Sequence, residues 1–414
     1  MALCRPMSSS DVRAHLTARL PAALALLRDM VAINSHTLNS AGVNALGRLT
    51  ADAFAPLGFT AEFIRSVHPA CGDHLVLTRR GTGPDTVGLI SHLDTVFTAA
   101  EEERNDFRWR VEGDRIYGPG TEDIKGGTVM IHLLLDALRT LAPEVFTRTN
   151  WVVLLDATEE MDSEDFGRLG VERLRGARAA LVFEAGRRVG TGWKVVTARK
   201  GRATFRFEVE GRGAHAGSEH MRGANAGTQL AHVIQRAAAV TDPARGRTVN
   251  IGRLGGGDAL NRVPHEAWAE GELRAFDRAA YADGLTQLRA LEQEIVVRAA
   301  ADGFPCRVRF TILSETPPWP PNPATEALFQ CWAAAGRTLG LVVEREERGG
   351  LSDGNHICHA VPTLDGLGPE GDNAHCSERS ADGAKDQEYL VVSSLVPKTE
   401  LNFHAVRRLL EAKS

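Results

Sequence analysis

Five short tracts of the chain place histidine and acidic residues directly after apolar runs or glycine-rich turns. His92 and Asp94 stand two apart in Ser91-His92-Leu93-Asp94-Thr95, behind the apolar run 87 to 90. An extended backbone points residues i and i+2 to one side. A carboxylate there can hydrogen-bond the second ring nitrogen of a metal-bound histidine and fix its tautomer. The plainer reading is a strand-capping histidine followed by a turn. Asp123 lies in Gly118-Pro119-Gly120-Thr121-Glu122-Asp123-Ile124-Lys125-Gly126-Gly127, a turn that opens a helix. This turn lacks the spacing of a phosphate loop or a dinucleotide turn. Its two acids repel phosphate and suit a cation. Glu159 and Glu160 follow the run 151 to 155. Beside paired cations, one such glutamate can ligate while the other stays free as a base in their field. Glu184 ends another apolar run, and His375 follows Gly366-Leu367-Gly368. Each tract alone is weak. Together they supply one bridging carboxylate plus one histidine and one carboxylate per ion. That gives each Zn²⁺ three protein ligands and an open position for water.

These residues need strand ends to present them. Residues 75 to 77, 87 to 91, 151 to 157 and 179 to 184 read as buried strands of an α/β sheet. Residues 11 to 31, 44 to 54 and 125 to 141 read as helices, the last ending before Pro143. Beyond residue 202 the pattern changes. Residues 202 to 211 alternate as a half-exposed strand. A helix at 225 to 240, strands at 248 to 253 and 262 to 276, a helix from Asp277 to about 301, and a strand at 306 to 314 complete a β-α-β-β-α-β order, a ferredoxin-like unit. The proline-rich stretch 317 to 323 closes it as a stiff connector. The expected organisation is one α/β domain, 1–197 and 316–414, interrupted by a smaller domain, 198–315.

The chain has 414 residues, 48 Lys plus Arg against 53 Asp plus Glu, and a formal charge of -5. That balance argues against a nucleic-acid surface or a polybasic membrane anchor. Cys4, Cys71, Cys306, Cys331, Cys358 and Cys376 form no two-residue-gap pair, which argues against a thiolate metal site and for a reducing compartment. Charged residues, Arg5 among them, interrupt the N-terminal apolar residues, and Met7 offers an alternative start. A cytoplasmic protein is the expectation.

With these motifs in place, the sequence resembles the co-catalytic zinc aminoacylase/carboxypeptidase family over nearly its whole length. That family includes glutamate carboxypeptidases, acetylornithine and succinyl-diaminopimelate deacylases, and dipeptidases. Gly349-Gly350-Leu351-Ser352-Asp353-Gly354-Asn355-His356 and Pro362-Thr363-Leu364-Asp365-Gly366-Leu367-Gly368-Pro369 are most similar to the glutamate carboxypeptidase branch. The resemblance implies a zinc-dependent exopeptidase-like three-layer catalytic domain with an inserted lid and dimerisation domain. It assigns His92 and Glu184 to one zinc, Glu160 and His375 to the other, and Asp123 to both, with a cis peptide after Asp123. Asp94 orients His92, and Glu159 is the general base. On the lid, His215 reaches the oxyanion of a partner subunit. Asn261 and Arg274 hold the substrate carboxylate, and Gly350, Ser352 and Asp353 line the pocket. Thr158 stands where the family usually has Asp, and residues 161 to 165 are unusually acidic. The segment 379 to 387 reads as a small insertion, and Glu315-Thr316-Pro317-Pro318-Trp319 stands where folate-type relatives carry an arginine.

The implied activity is hydrolysis of an amide bond by metal-bound hydroxide. The reaction releases a C-terminal amino acid, glutamate or similar, from a small peptide or N-acyl amino acid. Two Zn²⁺ per subunit are implied, with Co²⁺ or Mn²⁺ as substitutes, in a homodimer formed through the lid. An N-acyl amino-acid deacylase would carry the same metal residues. A non-catalytic metal or peptide-binding module is the reading from a different class.

Overall fold

The structure is a computed structural model that describes residues 9–161 and 163–411. Cys4, Arg5, Met7 and Asp162 lie outside the described residues. By contacts the chain separates into two compact units. One spans residues 1–197, 321–347 and 352–414, and the other residues 198–320 and 348–351.

The first unit is built on a six-stranded sheet. Its order is Thr60–Arg65, Asp73–Arg79, Asn150–Asp156, Thr86–His92, Ala179–Val182 and Thr363–Leu364. The last four strands run parallel, and the first two join antiparallel at one edge. Alternation along the strands feeds two cores. Leu75, Leu77, Val87, Leu89, Val153, Leu155 and Leu181 pack with Leu16, Leu27, Leu134 and Val406 on one face. Val76, Ile90, Val152, Leu154 and Val182 pack with Phe166, Leu174 and Ile357 on the other. Helices on both faces make the near-continuous apolar runs necessary. The exposed edge strand Thr60–Arg65 carries little such signal and was not evident in the sequence.

The parallel strands end together, so His92, Asp156 and the residues after Val182 emerge at one sheet edge. Ligands gather there in open α/β sheets. The helix Lys125–Leu141 starts against this edge. A Cβ on Gly127 would lie 2.2 Å from the Phe183 carbonyl oxygen, so only glycine permits the approach.

His74 adds a buried charge cluster to this unit. Its Nδ1 lies 3.0 Å from Asp156 Oδ1 and its Nε2 3.1 Å from Asp165 Oδ2. Burial lowers the pKa of the ring, but hydrogen bonds to Asp156 and Asp165 outweigh it and raise the pKa to about 9. Nδ1 also lies 3.2 Å from the Ala157 nitrogen. In the cationic ring that the two carboxylates favour, Nδ1–H goes to Asp156. A pKa raised on folding contributes stability that is complete below the unfolded value near 6.5 and is lost as pH rises through about 9. The carboxyls of Asp156 and Asp165 are held below their usual range against burial, chiefly by His74, so their contribution is lost at the acid end instead. In metal-free protein, the stability gap between wild type and His74→Asn, up to roughly 3 kcal/mol near pH 6, should narrow between pH 6.5 and 9. Urea unfolding across that range checks this, and a gap independent of pH would contradict it.

The second unit is a four-stranded antiparallel sheet, ordered Thr248–Gly256, Glu266–Ala275, Gly201–Glu210 and Arg307–Thr316. The helices Ala226–Ala238 and Arg278–Ala290 cap at Asn225 and Asp277 and pack on Phe205, Phe207 and Leu273. The chain order is βαββαβ. The second helix ends at Ala290 with a short 3-10 turn, Leu291–Gln293, and does not continue to about 301. Ile295, Val296 and Val297 are β-branched and poor helix formers. The buried Gln229 amide takes over their backbone, donating to the Glu294 carbonyl and accepting from Val296 and Val297 N–H.

Candidate metal centre

His92 ends its strand with its ring almost fully buried. Nδ1–H donates to the Asp94 carbonyl at 3.0 Å, while the Asp94 carboxylate stands farther off, at 3.5 Å. That fixes the tautomer and turns Nε2 toward Asp123 Oδ1 at 3.0 Å and Glu184 Oε1 at 3.8 Å. The Asp94 carboxylate serves the neighbouring turn. It accepts from the Glu159 and Glu160 backbone N–H groups, each at 3.2 Å, and from the Thr37 hydroxyl at 2.7 Å.

His375 sits in the left-handed region at φ 65°. Its Nε2 lies 3.0 Å from Glu160 Oε2 and 3.4 Å from Asp123 Oδ2. Asp123 therefore offers one carboxylate oxygen to each histidine. Donor atoms of His92, Asp123 and Glu160 lie within 4.8 Å of one another. The Asp123-Ile124 peptide is cis. Glu388, which the sequence reading missed, is buried beneath this turn. Its Oε1 accepts from the backbone N–H groups of Glu122 at 2.9 Å and Asp123 at 3.2 Å. Its only sequence cue was an acid bordering Tyr389-Leu390-Val391.

The electrostatics match a site built for positive charge. Burial and the neighbouring carboxylates Glu184, Glu160 and Asp123 push the Glu159 carboxyl well above its usual range. Burial and Asp123 raise Glu160 and bring Glu388 to about 8. Burial works against the charge on Asp123, but the His375 and His92 rings hold its carboxyl far below the usual range. His375 is raised to about 11 by Asp123 and Glu160. Burial lowers His92, and Asp123 and Asp94 overcome it and hold the ring well above its ordinary value. Without a cation, protons balance this concentration of acids. A divalent ion would replace them and invert these shifts.

Of the residues expected around a substrate, Ser352 and Asp353 belong to the first unit, and His215, Asn261, Arg274 and Gly350 to the second. In the first, Ser352 donates its hydroxyl to Asp365 Oδ2 at 2.8 Å, and Asp353 is buried. In the second, His215 is exposed and its Nδ1 accepts from Gly217 and Ser218 N–H at 3.1 Å each, so the proton sits on Nε2. The Asn261 carbonyl accepts from Ala216 N–H, which joins its loop to that of His215. Arg274 is held by both carboxylate oxygens of Glu272 and donates to the Gly349 carbonyl. The Gly350 carbonyl accepts from Arg199 at 3.1 Å. Cys71, Cys306, Cys331, Cys358 and Cys376 are free thiols. Among the described residues, no helix is long and apolar enough to cross a membrane.

The chain is 27% identical to carboxypeptidase G2 of Pseudomonas sp. (strain RS-16) over 363 residues, 86% of this chain and 83% of that one. It is 27% identical to acetylornithine deacetylase of Pectobacterium carotovorum over 260 residues, 59% of this chain and 65% of that one. In fold it is similar to a tripeptidase from Staphylococcus aureus, with a TM-score of 0.74 and 21% identity over 95% of this chain and 99% of that one. It is also similar to a dinuclear metal-binding peptidase from Bacillus subtilis, with a TM-score of 0.67 and 14% identity over 96% of this chain and 100% of that one. These neighbours share the mixed α/β fold, in which a smaller α+β unit interrupts the sequence of the larger one. Residues 88–395 match the model of Peptidase family M20/M25/M40, and the chain belongs to that family of hydrolases.

Proposed function

We propose that the protein hydrolyses the amide bond of a small peptide or N-acyl amino acid that carries a free α-carboxylate, and releases the C-terminal amino acid. The observation that carries this is Asp123, placed between His92 and His375 with one oxygen toward each, next to the half-buried Glu159. Nitrogen and carboxylate donors at this spacing suit zinc, and cobalt or manganese can replace it. His92, Glu184 and Asp123 would hold one ion, and His375, Glu160 and Asp123 the other. When bound, such ions lower the pKa of a water and polarise the scissile carbonyl.

The remaining chemistry belongs to side chains of this protein. Glu159 takes the proton from the attacking water and delivers it to the leaving nitrogen. Asp94 keeps His92 and the glutamate turn in place. His215, with its proton on Nε2, suits an oxyanion as donor, and in this reading it acts within a homodimer formed through the lid. Arg274 and Asn261 are proposed for the substrate carboxylate, with Gly350, Ser352 and Asp353 around it. Arg274 must then exchange Glu272 for the substrate.

The broader match to carboxypeptidase G2 favours the carboxypeptidase reading, with the glutamate-type C-terminal preference that the sequence resemblance implies. The match to acetylornithine deacetylase supports a second reading, deacylation of an N-acyl amino acid. One panel tests both, with dipeptides and N-acylated amino acids assayed beside their carboxyl-amidated forms. Activity confined to free carboxylates, abolished by a chelator and restored by zinc, cobalt or manganese, is expected. A metal-replete protein inert across the panel would instead support a binding module.

A further inference from the structure

The turn that presents Glu159 and Glu160 is fixed by two carboxylates. Asp94 receives the N–H groups of Glu159 and Glu160, each at 3.2 Å. Asp156 receives the Thr158 N–H at 2.8 Å and the Thr158 hydroxyl at 3.1 Å, both on Oδ1. The Met161 N–H then closes the turn on the Thr158 carbonyl at 3.0 Å. Asp94 belongs to the site already described. Asp156 is completely buried, and its anchor is His74.

His74 is held at both ring nitrogens. Asp156 lies on Nδ1 and Asp165 on Nε2. Asp165 is itself secured by the Ser66 hydroxyl at 3.1 Å and the Val67 N–H at 2.8 Å. The ring packs on Phe166, with centroids 5.4 Å apart. The imidazole thereby joins three elements, the strands Asp73–Arg79 and Asn150–Asp156 and the helix Glu164–Arg173. Asp353 adds a second contact to Asp156. Both side chains are buried, and burial together with the neighbouring Asp156 and Glu159 carboxylates pushes the Asp353 carboxyl well above its usual range. Buried ion pairs add little stability over apolar packing of the same volume, but they hold geometry tightly. A cluster of this kind beneath the turn of the catalytic glutamate fixes where that turn points as well as adding stability. It also gives a role to two places where the sequence departs from the family pattern, since Thr158 sits on Asp156 and Asp165 belongs to the acidic stretch.

We propose that His74 is a positioning residue for the reaction: clamped between Asp165 and Asp156, it fixes Asp156 and, through Thr158, the direction of Glu159. The inference rests on Glu159 being the general base.

The test compares His74→Asn and Asp165→Asn with wild type for kcat, KM, bound metal and the thermal midpoint of the metal-free protein. A misaimed base lowers kcat about ten- to a hundredfold, with KM within about twofold and metal content unchanged. Asp165→Glu, which keeps the carboxylate, should recover most of the kcat lost in Asp165→Asn. Lower thermal midpoints with wild-type kcat, a change confined to KM, or loss of the fold in both variants would assign the cluster to stability and overturn the proposal. Glu159→Gln, measured alongside, separates the two ideas. If it stays active, the base assignment fails. If it is inactive while His74→Asn keeps full kcat, only the positioning role fails.

Discussion

Glu159→Gln should lower kcat by about 10²- to 10⁴-fold while leaving the metal content unchanged. The half-buried side chain lies close to Glu184, Glu160 and Asp123, which together with partial desolvation make its carboxyl hold a proton unusually well. A group that retains a proton this readily can accept one from an attacking water once cations offset the neighbouring acids. Glutamine keeps the shape and removes the basicity. His92, Asp123, Glu160, Glu184 and His375 all remain, so ion binding should persist. Steady-state kinetics with metal analysis on the same sample checks both halves. Wild-type turnover with full metal occupancy would remove Glu159 from the role of base.

Asp123→Asn should have the second large effect, on binding of the ions themselves. Asp123 faces both histidines, at 3.0 Å from His92 and 3.4 Å from His375. Loss of an outer partner of a metal ligand costs about 10- to 100-fold in affinity. If Asp123 is the carboxylate shared by both ions, as proposed, its loss should cost at least about a hundredfold. The metal-free protein offers an independent reading. His375 is raised to about 11 first by Asp123 and then by Glu160, so its pKa should fall in Asp123→Asn. Calorimetric zinc titration and histidine NMR measure the two effects. Unchanged zinc affinity would show that Asp123 is not shared.

Much of the centre was legible in the sequence because each residue lies where a local pattern breaks. His92 and Glu184 follow apolar runs long enough to be buried strands, and Asp123 opens a helix whose glycines mark a close approach. Residues that act from below were not legible. Glu388 reaches the Asp123 turn across 265 positions of sequence. His74 meets Asp165 across 91 and the Ala157 nitrogen across 83. No periodicity encodes such pairs, and a histidine inside a strand reads as ordinary core. The role of Asp94 was also read only in part. The closer ring partner is its carbonyl, because its carboxylate is taken by the glutamate turn. The helix expected to reach about 301 overran because the apolar pattern continues beyond Ala290 while the backbone turns toward Gln229.

The central claim is that two divalent ions share Asp123. Anomalous diffraction at the zinc absorption edge, on crystals of the zinc-loaded protein, tests it most directly. Two peaks are predicted, one between His92 and Glu184 and one between His375 and Glu160, each also in contact with Asp123. A single peak, or zinc bound away from Asp123, would contradict the account.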